Sequence, residues 1–223
     1  MPEMSTEARD AILGRVRAAL ADLPPLTPEA DTPVAWTYGQ PRALDNILDQ
    51  FEDRIIDYRA AFERCTPATL AEHVVGALQT YGTASVVLPS GLPRSISDAV
   101  AAAGLEVRLD EPQLTRIELD ATSAVVTTCA VAAAETGTIM LDHGPGQGRR
   151  ALSLVPDVHV CIVLADQVVS DVPEAVARIA PAIRERRPIT WISGGSATSD
   201  IELSRVEGVH GPRTLHVLLV DGS

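Results

Sequence analysis

The segment SVVLPSGLPRSISDAVAAAGLEVRL, residues Ser85 to Leu109, contains the clearest signals of the fold class. Its beginning, with two adjacent valines and a leucine, is a short apolar run typical of a buried strand. A turn rich in proline and glycine follows, and residues Ser95 to Ala103 have the composition of a helix. Gly104 ends that helix, and the apolar residues after it begin a second strand. The stretch therefore predicts a strand–helix–strand unit, which joins parallel strands.

The same alternation continues to the C-terminal end of the sequence. We predict further strands at Ala124 to Thr127, Thr138 to Leu141, Val158 to Leu164, Ile189 to Ile192 and Thr214 to Val220. Helices are predicted from Cys129 to Ala134 and from Val172 to Arg187. This order is typical of the α/β class, in which helices cover both faces of a largely parallel sheet. Ligands bind such sheets beside the carboxyl ends of the strands, so we expect the functional loops there.

The N-terminal part of the sequence predicts helices rather than strands. Residues Ser5 to Leu20 and Leu44 to Arg64 have apolar residues at helical spacing, and Thr66-Pro67 is a typical helix start. The prolines between Leu23 and Pro41 exclude a regular helix there and predict an extended arm. We therefore divide the chain into a helical N-terminal extension with a proline-rich arm, residues 1–65, and an α/β domain, residues 66–223.

The charged residues and the cysteines exclude several classes of function. The chain has 30 acidic and 18 basic residues, and its net charge of −12 argues against binding nucleic acid or an anionic membrane. All 18 basic residues are arginines, so no lysine can form a Schiff base or bind a phosphate. The three cysteines have no CxxC spacing, which leaves no metal motif and indicates a reducing, cytoplasmic environment. No apolar run approaches the roughly 20 residues that span a bilayer.

A glycine- and serine-rich segment follows the strand at Ile189 to Ile192. It ends at Asp200, which has the position of a helix N-cap. A strand, a glycine turn and a helix start place several free backbone N–H groups at one point, where an anion binds well. The candidate ligand-binding residues of this segment are Ser193, Gly194, Gly195, Ser196, Thr198 and Asp200. A capped turn without a ligand is the alternative.

Two other loops carry residues suited to ligand binding. The turn from Pro89 to Pro93 contains Gly91, which permits a close approach of the backbone to a ligand, although a plain turn explains it too. The loop from Asp142 to Arg150 is rich in glycine, and we expect it to be mobile and to present Arg149 and Arg150. Arginine pairs suit carboxylates and phosphates. Either arginine can face the site, and a solvated hairpin is the alternative.

One carboxylate and one histidine are candidates for proton transfer. Glu135 lies between a run of small residues and the turn Thr136-Gly137-Thr138, where a charge is costly unless it is paired or functional. These three turn residues are candidate ligand contacts, and a partner arginine is the alternative explanation for Glu135. His210 is exposed by the glycines and the proline around it and suits acid–base or anion contact. By contrast, we expect His159 to be a satisfied core residue and His216 to face solvent or a partner.

Four motifs in this order resemble the LUD-domain family. They are AETGT at Ala134 to Thr138, GRRALSLVP at Gly148 to Pro156, SGGSATSDIE at Ser193 to Glu202 and GVHGP at Gly208 to Pro212. The resemblance implies a three-layer, Rossmann-like sandwich related to ribose-phosphate isomerases, glucosamine-phosphate deaminases and CoA transferases. It also implies a role in the bacterial conversion of L-lactate to pyruvate with companion subunits, at least one of which carries iron–sulfur clusters. It assigns no cofactor to this chain.

Three functional hypotheses follow from these residues and this resemblance. The first is a component of the L-lactate oxidising system that binds a small carboxylate or phosphate. In it the backbone amides around Gly194 to Asp200, one arginine, Glu135 and His210 face a common hollow. The second is an acyl-transfer enzyme, since Glu135-Thr136-Gly137 resembles the Glu-x-Gly nucleophile of CoA transferases. The third is a non-catalytic scaffold, whose arm and N-terminal helix serve assembly with other subunits or as a homo-oligomer.

Overall fold

The computed structural model describes residues 6–23, 41–198, 206–208 and 210–222. Contacts divide the chain into two units, Met1–Tyr38 and Gly39–Ser223. The first unit contains helix α1 (Thr6–Ala19), which confirms the predicted N-terminal helix. Most of the predicted proline-rich arm lies outside the described residues. The second unit holds the sheet and the candidate site.

The second unit alternates strands with helices, as predicted. Its helices are α2 (Ile47–Asp57), α3 (Leu70–Thr80), α4 (Arg94–Ala102), α5 (Arg116–Asp120) and α6 (Val172–Arg184). Its strands are β1 (Ala61–Cys65), β2 (Ser85–Leu88), β3 (Glu106–Leu109), β4 (Ala124–Thr128), β5 (Val131–Ala133), β6 (Thr138–Leu141), β7 (Val158–Leu164), β8 (Val168–Val169), β9 (Thr190–Ile192), β10 (Ala197–Thr198), β11 (Val206–Glu207) and β12 (Thr214–Val220). Short 3₁₀ turns span Arg150–Ser153 and Ala165–Gln167.

Six of the strands form one sheet, in the order β1-β12-β7-β4-β2-β3. Every neighbouring pair runs parallel, which confirms the predicted parallel sheet and the α/β class. The central strands are almost fully buried, as expected for a sheet covered on both faces. Helices α3 and α4 cover one face with Val74, Leu78 and Val100. The other face packs against α2 and a second, smaller sheet.

The smaller sheet has the order β8-β5-β6-β9 and is not expected from the sequence. Its strand β5 replaces the helix predicted from Cys129 to Ala134, so that prediction is wrong. The side chains of β5 are fully buried, and they pack between neighbouring strands and α6. This packing overrides the helix propensity of the alanines. The sequence places Ile189 to Ile192 in the parallel sheet, but β9 pairs antiparallel with β6 instead.

The helix predicted from Leu44 to Arg64 is in fact two elements. Helix α2 ends at Asp57, Arg59 adopts a positive φ of 61°, and β1 then pairs with β12. The left-handed residue turns the chain off the helix axis, so the end of this segment extends the sheet. The sheet thus begins before the predicted domain boundary after Cys65. The next helix, α3, begins at Leu70 rather than at Thr66.

His216 lies in the core and not at the surface, so its predicted exposure is wrong. It is 3% exposed, and its Nδ1 lies 3.1 Å from the hydroxyl of Tyr81. Its Nε2 lies 3.3 Å from the carboxylate of Glu63, which also contacts His73 at 2.7 Å. Burial lowers the pKa of His216, although the charge of Glu63 opposes the effect. The buried imidazole is therefore neutral at pH 7.

The described residues contain neither a membrane span nor a metal site. No described helix is long and apolar enough to cross a membrane. No described group of three or more His, Cys, Asp or Glu side chains is arranged to hold a metal ion. Cys65, Cys129 and Cys161 are buried free thiols. Burial raises the pKa of Cys161 to about 12, so this thiol is not a nucleophile at neutral pH.

Candidate functional site

The glycine- and serine-rich segment Ser193–Ser196 forms a bend after β9 that lines a cavity of about 270 Å³. This bend cavity lies between β9 and the amino-terminal ends of β7 and β12, where His159 and Leu215 form part of its wall. The predicted position beside the carboxyl ends of the parallel strands is therefore wrong. Because β9 belongs to the smaller sheet, the bend that follows it meets the opposite edge of the parallel sheet.

Two glycines allow the bend to pack tightly against its surroundings. Gly194 has a φ of +86°, and a Cβ on it would lie 2.7 Å from the Cβ of Tyr58. A Cβ on Gly195 would lie 2.5 Å from the carbonyl oxygen of Arg213. Backbone atoms cannot move aside as the end of a flexible side chain can. The bend is therefore seated on the segment that leads into β12, and only glycine fits at this contact.

The loop around His210 closes the same cavity from another side. The backbone N–H of His210 donates to the hydroxyl of Ser196 at 3.1 Å. The N–H of Ser196 donates to the carbonyl of Pro212 at 2.8 Å, and the N–H of Gly208 donates to the carbonyl of Ser196 at 2.9 Å. These bonds hold the exposed residue His210 at the cavity wall. The structure thus brings the predicted bend residues and His210 together.

The bend leaves backbone donors free for a ligand. The N–H groups of Gly194 and Gly195 make no hydrogen bond to any group in the described part of the chain. The hydroxyl of Ser193 lies 2.9 Å from that of Thr138, which lies 2.8 Å from that of Thr136. Free amide donors beside hydroxyl groups stabilise an anion, because each of them can donate a hydrogen bond to it. The described residues that line the cavity include no arginine, so these donors are neutral.

The helix that is predicted to begin at Asp200 lies outside the described residues. Thr198, a further predicted contact, lies with Ala197 in β10, which pairs antiparallel with β11. In the described part of the chain, the donors of the cavity therefore come from the bend itself and not from a helix terminus.

Glu135 lies in the turn between β5 and β6, where the guanidinium of Arg42 binds its carboxylate. The N–H of Glu135 donates to the carbonyl of Ser170 at 3.0 Å. Gly137 has a φ of +58°, and a Cβ on it would lie 2.8 Å from the Cβ of Arg54, so the turn packs closely on α2. Glu135 is not among the residues that line the bend cavity. The arginine partner that the sequence leaves open as an alternative is present.

The predicted arginine loop sits at the other edge of the parallel sheet. The N–H of Gly146 donates to the carbonyl of Ser90 at 2.8 Å, and the N–H of Thr128 donates to the carbonyl of Gly146 at 2.9 Å. Gly91 has a φ of +96° at this contact, which explains the glycine without a ligand. The side-chain oxygen of Gln147 accepts from the N–H groups of Asp142 and His143 at 2.8 and 3.1 Å. The expected mobile loop is thus an internally bonded one.

The two arginines of this loop have different environments. Arg149 binds the carboxylate of Asp110 through Nε at 2.7 Å and Nη2 at 3.0 Å, and Nη2 also donates to the carbonyl of Leu114. Its hydrogen bond to Asp110 raises the pKa of Arg149. Arg150 is exposed and makes no ion pair within the described residues. Arg149 is therefore the inward-facing residue, and its charge is already paired with that of Asp110.

This difference predicts unequal effects of the same substitution at neighbouring positions. Arg149→Leu should lower the free energy of unfolding by about 2 kcal/mol, because it leaves the Asp110 carboxylate, 12% exposed, without its partner. Arg150→Leu, the matched control, should change it by less than about 0.5 kcal/mol. Urea unfolding of both variants and the wild type measures these values. Equal losses in the two variants would show that the Asp110 pair is not a stabilising contact.

The structure does not bring all predicted site residues into one hollow. The bend and His210 share one cavity, whereas Gly91, Arg149 and Arg150 line another, at the carboxyl ends of the strands. Among the described residues, the hydroxyl groups of Thr136, Thr138 and Ser193 link the turn of Glu135 to the bend cavity.

His159 is a cavity residue that the sequence assigns to the core. It is 1% exposed, and its Nε2 lies 2.8 Å from the hydroxyl of Thr127. Burial lowers its pKa to about 4, so the imidazole is neutral at pH 7. Its place in an apolar strand is typical of a core residue. The signal of another role is that β7 begins beside the bend, and this is a tertiary contact that the sequence does not show.

Comparison with known protein families gives a match over more than half of the chain. Residues 92–220 match the LUD domain. This range includes the bend, the loop of His210 and the turn of Glu135. It also includes the arginine loop at the opposite edge of the sheet.

Individual relatives extend the match to nearly the whole chain. A protein of Deinococcus radiodurans named lactate utilization protein C is 48% identical over 217 residues, which is 97% of both chains. A protein of the same name from Geobacillus thermodenitrificans is 25% identical over 240 residues, covering 99% of this chain and all of the relative. Among solved structures, a DUF162 family protein from Deinococcus radiodurans is similar with a TM-score of 0.65 at 48% identity. It covers 78% of this chain and 96% of its own.

Proposed function

Because this chain belongs to the LUD-domain family, we propose that it serves in bacterial L-lactate utilisation and binds a small carboxylate in the bend cavity. The family relatives that align over nearly its full length are named for lactate utilisation. The observation that carries the binding proposal is that Gly194 and Gly195, two residues lining that cavity, have backbone N–H groups without a partner among the described residues. The cavity volume of about 270 Å³ suits a ligand with few heavy atoms.

The donors of the bend suit a carboxylate in particular. A carboxylate accepts several hydrogen bonds at once, and hydrogen bonds to a charged group are stronger than those between neutral groups. The Gly194 and Gly195 amides supply two donors, and the hydroxyl groups of Ser193 and Ser196 border the same cavity. Since these donors carry no net charge, we expect modest affinity and easy release, as a metabolic intermediate requires.

Oxidation of lactate releases two electrons, which need an acceptor. The cysteines of this chain are spaced and buried in a way that holds no iron–sulfur cluster. We therefore place the acceptor in companion subunits with iron–sulfur clusters, and this chain contributes the binding of the carboxylate.

An acyl-transfer role for Glu135 has less support. A nucleophilic carboxylate needs a free oxygen lone pair facing the acyl group. The carboxylate of Glu135 is bound by Arg42 and lies outside the bend cavity. The positive guanidinium on one carboxylate oxygen makes the group a weaker nucleophile, which disfavours this function.

Titration with L-lactate tests the proposed binding. Trp191 lines the cavity and is 49% exposed, so its fluorescence should change when the cavity fills. A Trp36→Phe background leaves Trp191 as the only tryptophan of the chain. We expect a saturable change with L-lactate and none with chloride at the same ionic strength, and calorimetry should give the same dissociation constant. The proposal is refuted if L-lactate produces no heat and no fluorescence change, both with the protein alone and with its companion subunits.

A further inference from the structure

His159 combines deep burial with a free ring nitrogen. Its Nε2 is bonded to the hydroxyl of Thr127 at 2.8 Å, and Thr127 is itself fully buried. The other nitrogen, Nδ1, has no hydrogen-bond partner among the described residues. His159 lines the bend cavity. His159 is 1% exposed, and Nδ1 is not among the fully buried unpartnered side-chain atoms of the described residues, so this nitrogen keeps a small accessible surface. A ligand in the cavity would satisfy it.

Either protonation pattern of the pair gives the cavity one polar contact. The Thr127 hydroxyl has one proton, which can go to His159 Nε2 at 2.8 Å or to the Cys161 sulfur at 3.9 Å. If the Thr127 hydroxyl donates to His159 Nε2, the ring hydrogen is on Nδ1, which can then donate. If the hydroxyl donates to the Cys161 sulfur, the ring hydrogen is on Nε2, and Nδ1 can then accept. A ligand hydroxyl serves both cases, because it donates and accepts.

The contact is suited to an uncharged group of the ligand. His159 is buried beside apolar residues such as Leu215, and burial holds its pKa at about 4. A neutral imidazole adds little attraction for a carboxylate, which the amides of the bend can bind. It can instead recognise the group next to the carboxylate, since the bend and His159 line one small cavity.

We infer that His159 is the specificity-determining residue of the bend cavity, and that its free nitrogen binds the hydroxyl of a 2-hydroxy carboxylate. This inference rests on the proposed function, because it assigns one end of the ligand to the bend. It predicts that the cavity distinguishes L-lactate from propionate, which has the same carbon chain and carboxylate but lacks the hydroxyl. One neutral hydrogen bond should favour L-lactate by about fivefold to tenfold in dissociation constant.

Two substitutions of His159 separate its two nitrogens. His159→Asn retains a polar group close to the position of Nδ1, whereas His159→Gln retains one close to Nε2 and keeps the Thr127 bond. We expect His159→Gln to bind L-lactate and propionate equally, by weakening L-lactate and leaving propionate unchanged. His159→Asn should keep part of the preference. The wild-type preference should stay constant between about pH 6 and about pH 8, because the ring remains neutral there.

The outcomes separate this inference from the proposed function. If the wild type binds neither acid, the proposed function fails and this inference with it. If the wild type binds both acids equally, or if folded His159→Gln retains the full preference, only the role of His159 is refuted. Thermal unfolding identifies a variant that does not fold. In that case the comparison of the wild type with His159→Asn still decides, since a purely structural role predicts the same preference in both proteins and the proposed contact predicts a smaller one in His159→Asn.

Discussion

Gly195→Ala should weaken carboxylate binding in the bend cavity more than tenfold and lower the free energy of unfolding by about 1 to 3 kcal/mol. The added Cβ would lie 2.5 Å from the carbonyl oxygen of Arg213, which is too close for any real contact. This steric clash can be removed only by a shift of the backbone, and overpacking of this kind costs about 1 to 3 kcal/mol. The same shift moves the free N–H groups of Gly194 and Gly195, so the loss of binding should exceed tenfold. Fluorescence titration and urea unfolding measure both effects.

Gly76→Ala is the matched control for this substitution. Gly76 lies in the interior of α3 and is exposed. A Cβ added to it would have no described neighbouring atom outside its own helix backbone within 4 Å. Alanine is the better helix former, so the variant should gain up to about 1 kcal/mol of stability and bind as the wild type does. A Gly195→Ala variant that binds normally would mean that the bend is not the carboxylate site.

Acidification should destabilise the protein through its buried histidines. The pKa of His159 falls from 6.5 to about 4 on folding, and burial also lowers the pKa of His216. Below pH 6.5 the unfolded chain therefore binds more protons than the folded one, and stability is lost as the pH falls. For His159 the loss approaches about 1.4 kcal/mol per pH unit and about 3 kcal/mol by pH 4. Above pH 6.5 the contribution is complete.

Urea unfolding at a series of pH values, from about 7.5 down to about 5, measures this slope. His159→Gln should flatten it, because glutamine does not titrate while the Thr127 bond is kept. His210→Gln is the control for the substitution itself, because it makes the same change at an exposed position. An identical slope in His159→Gln and the wild type would show that His159 is not the titrating group.

Local signals were sufficient for most elements of the parallel sheet. Short apolar runs between glycine and proline turns predict β2, β4, β7 and β12 almost to the residue. The same signals fail at Val131 to Ala133, where alanines favour a helix in isolation but pack as a strand against β6, β8 and α6. They fail again at Ala61–Cys65, where pairing with β12 decides the conformation. Both errors concern segments whose conformation depends on pairing with other strands.

Residue types and their spacings along the chain were enough to predict the α/β class, the family and the glycine–serine bend. Which side chains and strands meet depends on the three-dimensional fold. It pairs Arg149 with Asp110 and Arg42 with Glu135, which removes both charges from the predicted site. By placing β9 in the smaller sheet, it brings the bend to the amino-terminal end of β7, beside His159. Strand partners and ion pairs are contacts between residues far apart in the chain, and no local pattern specifies them.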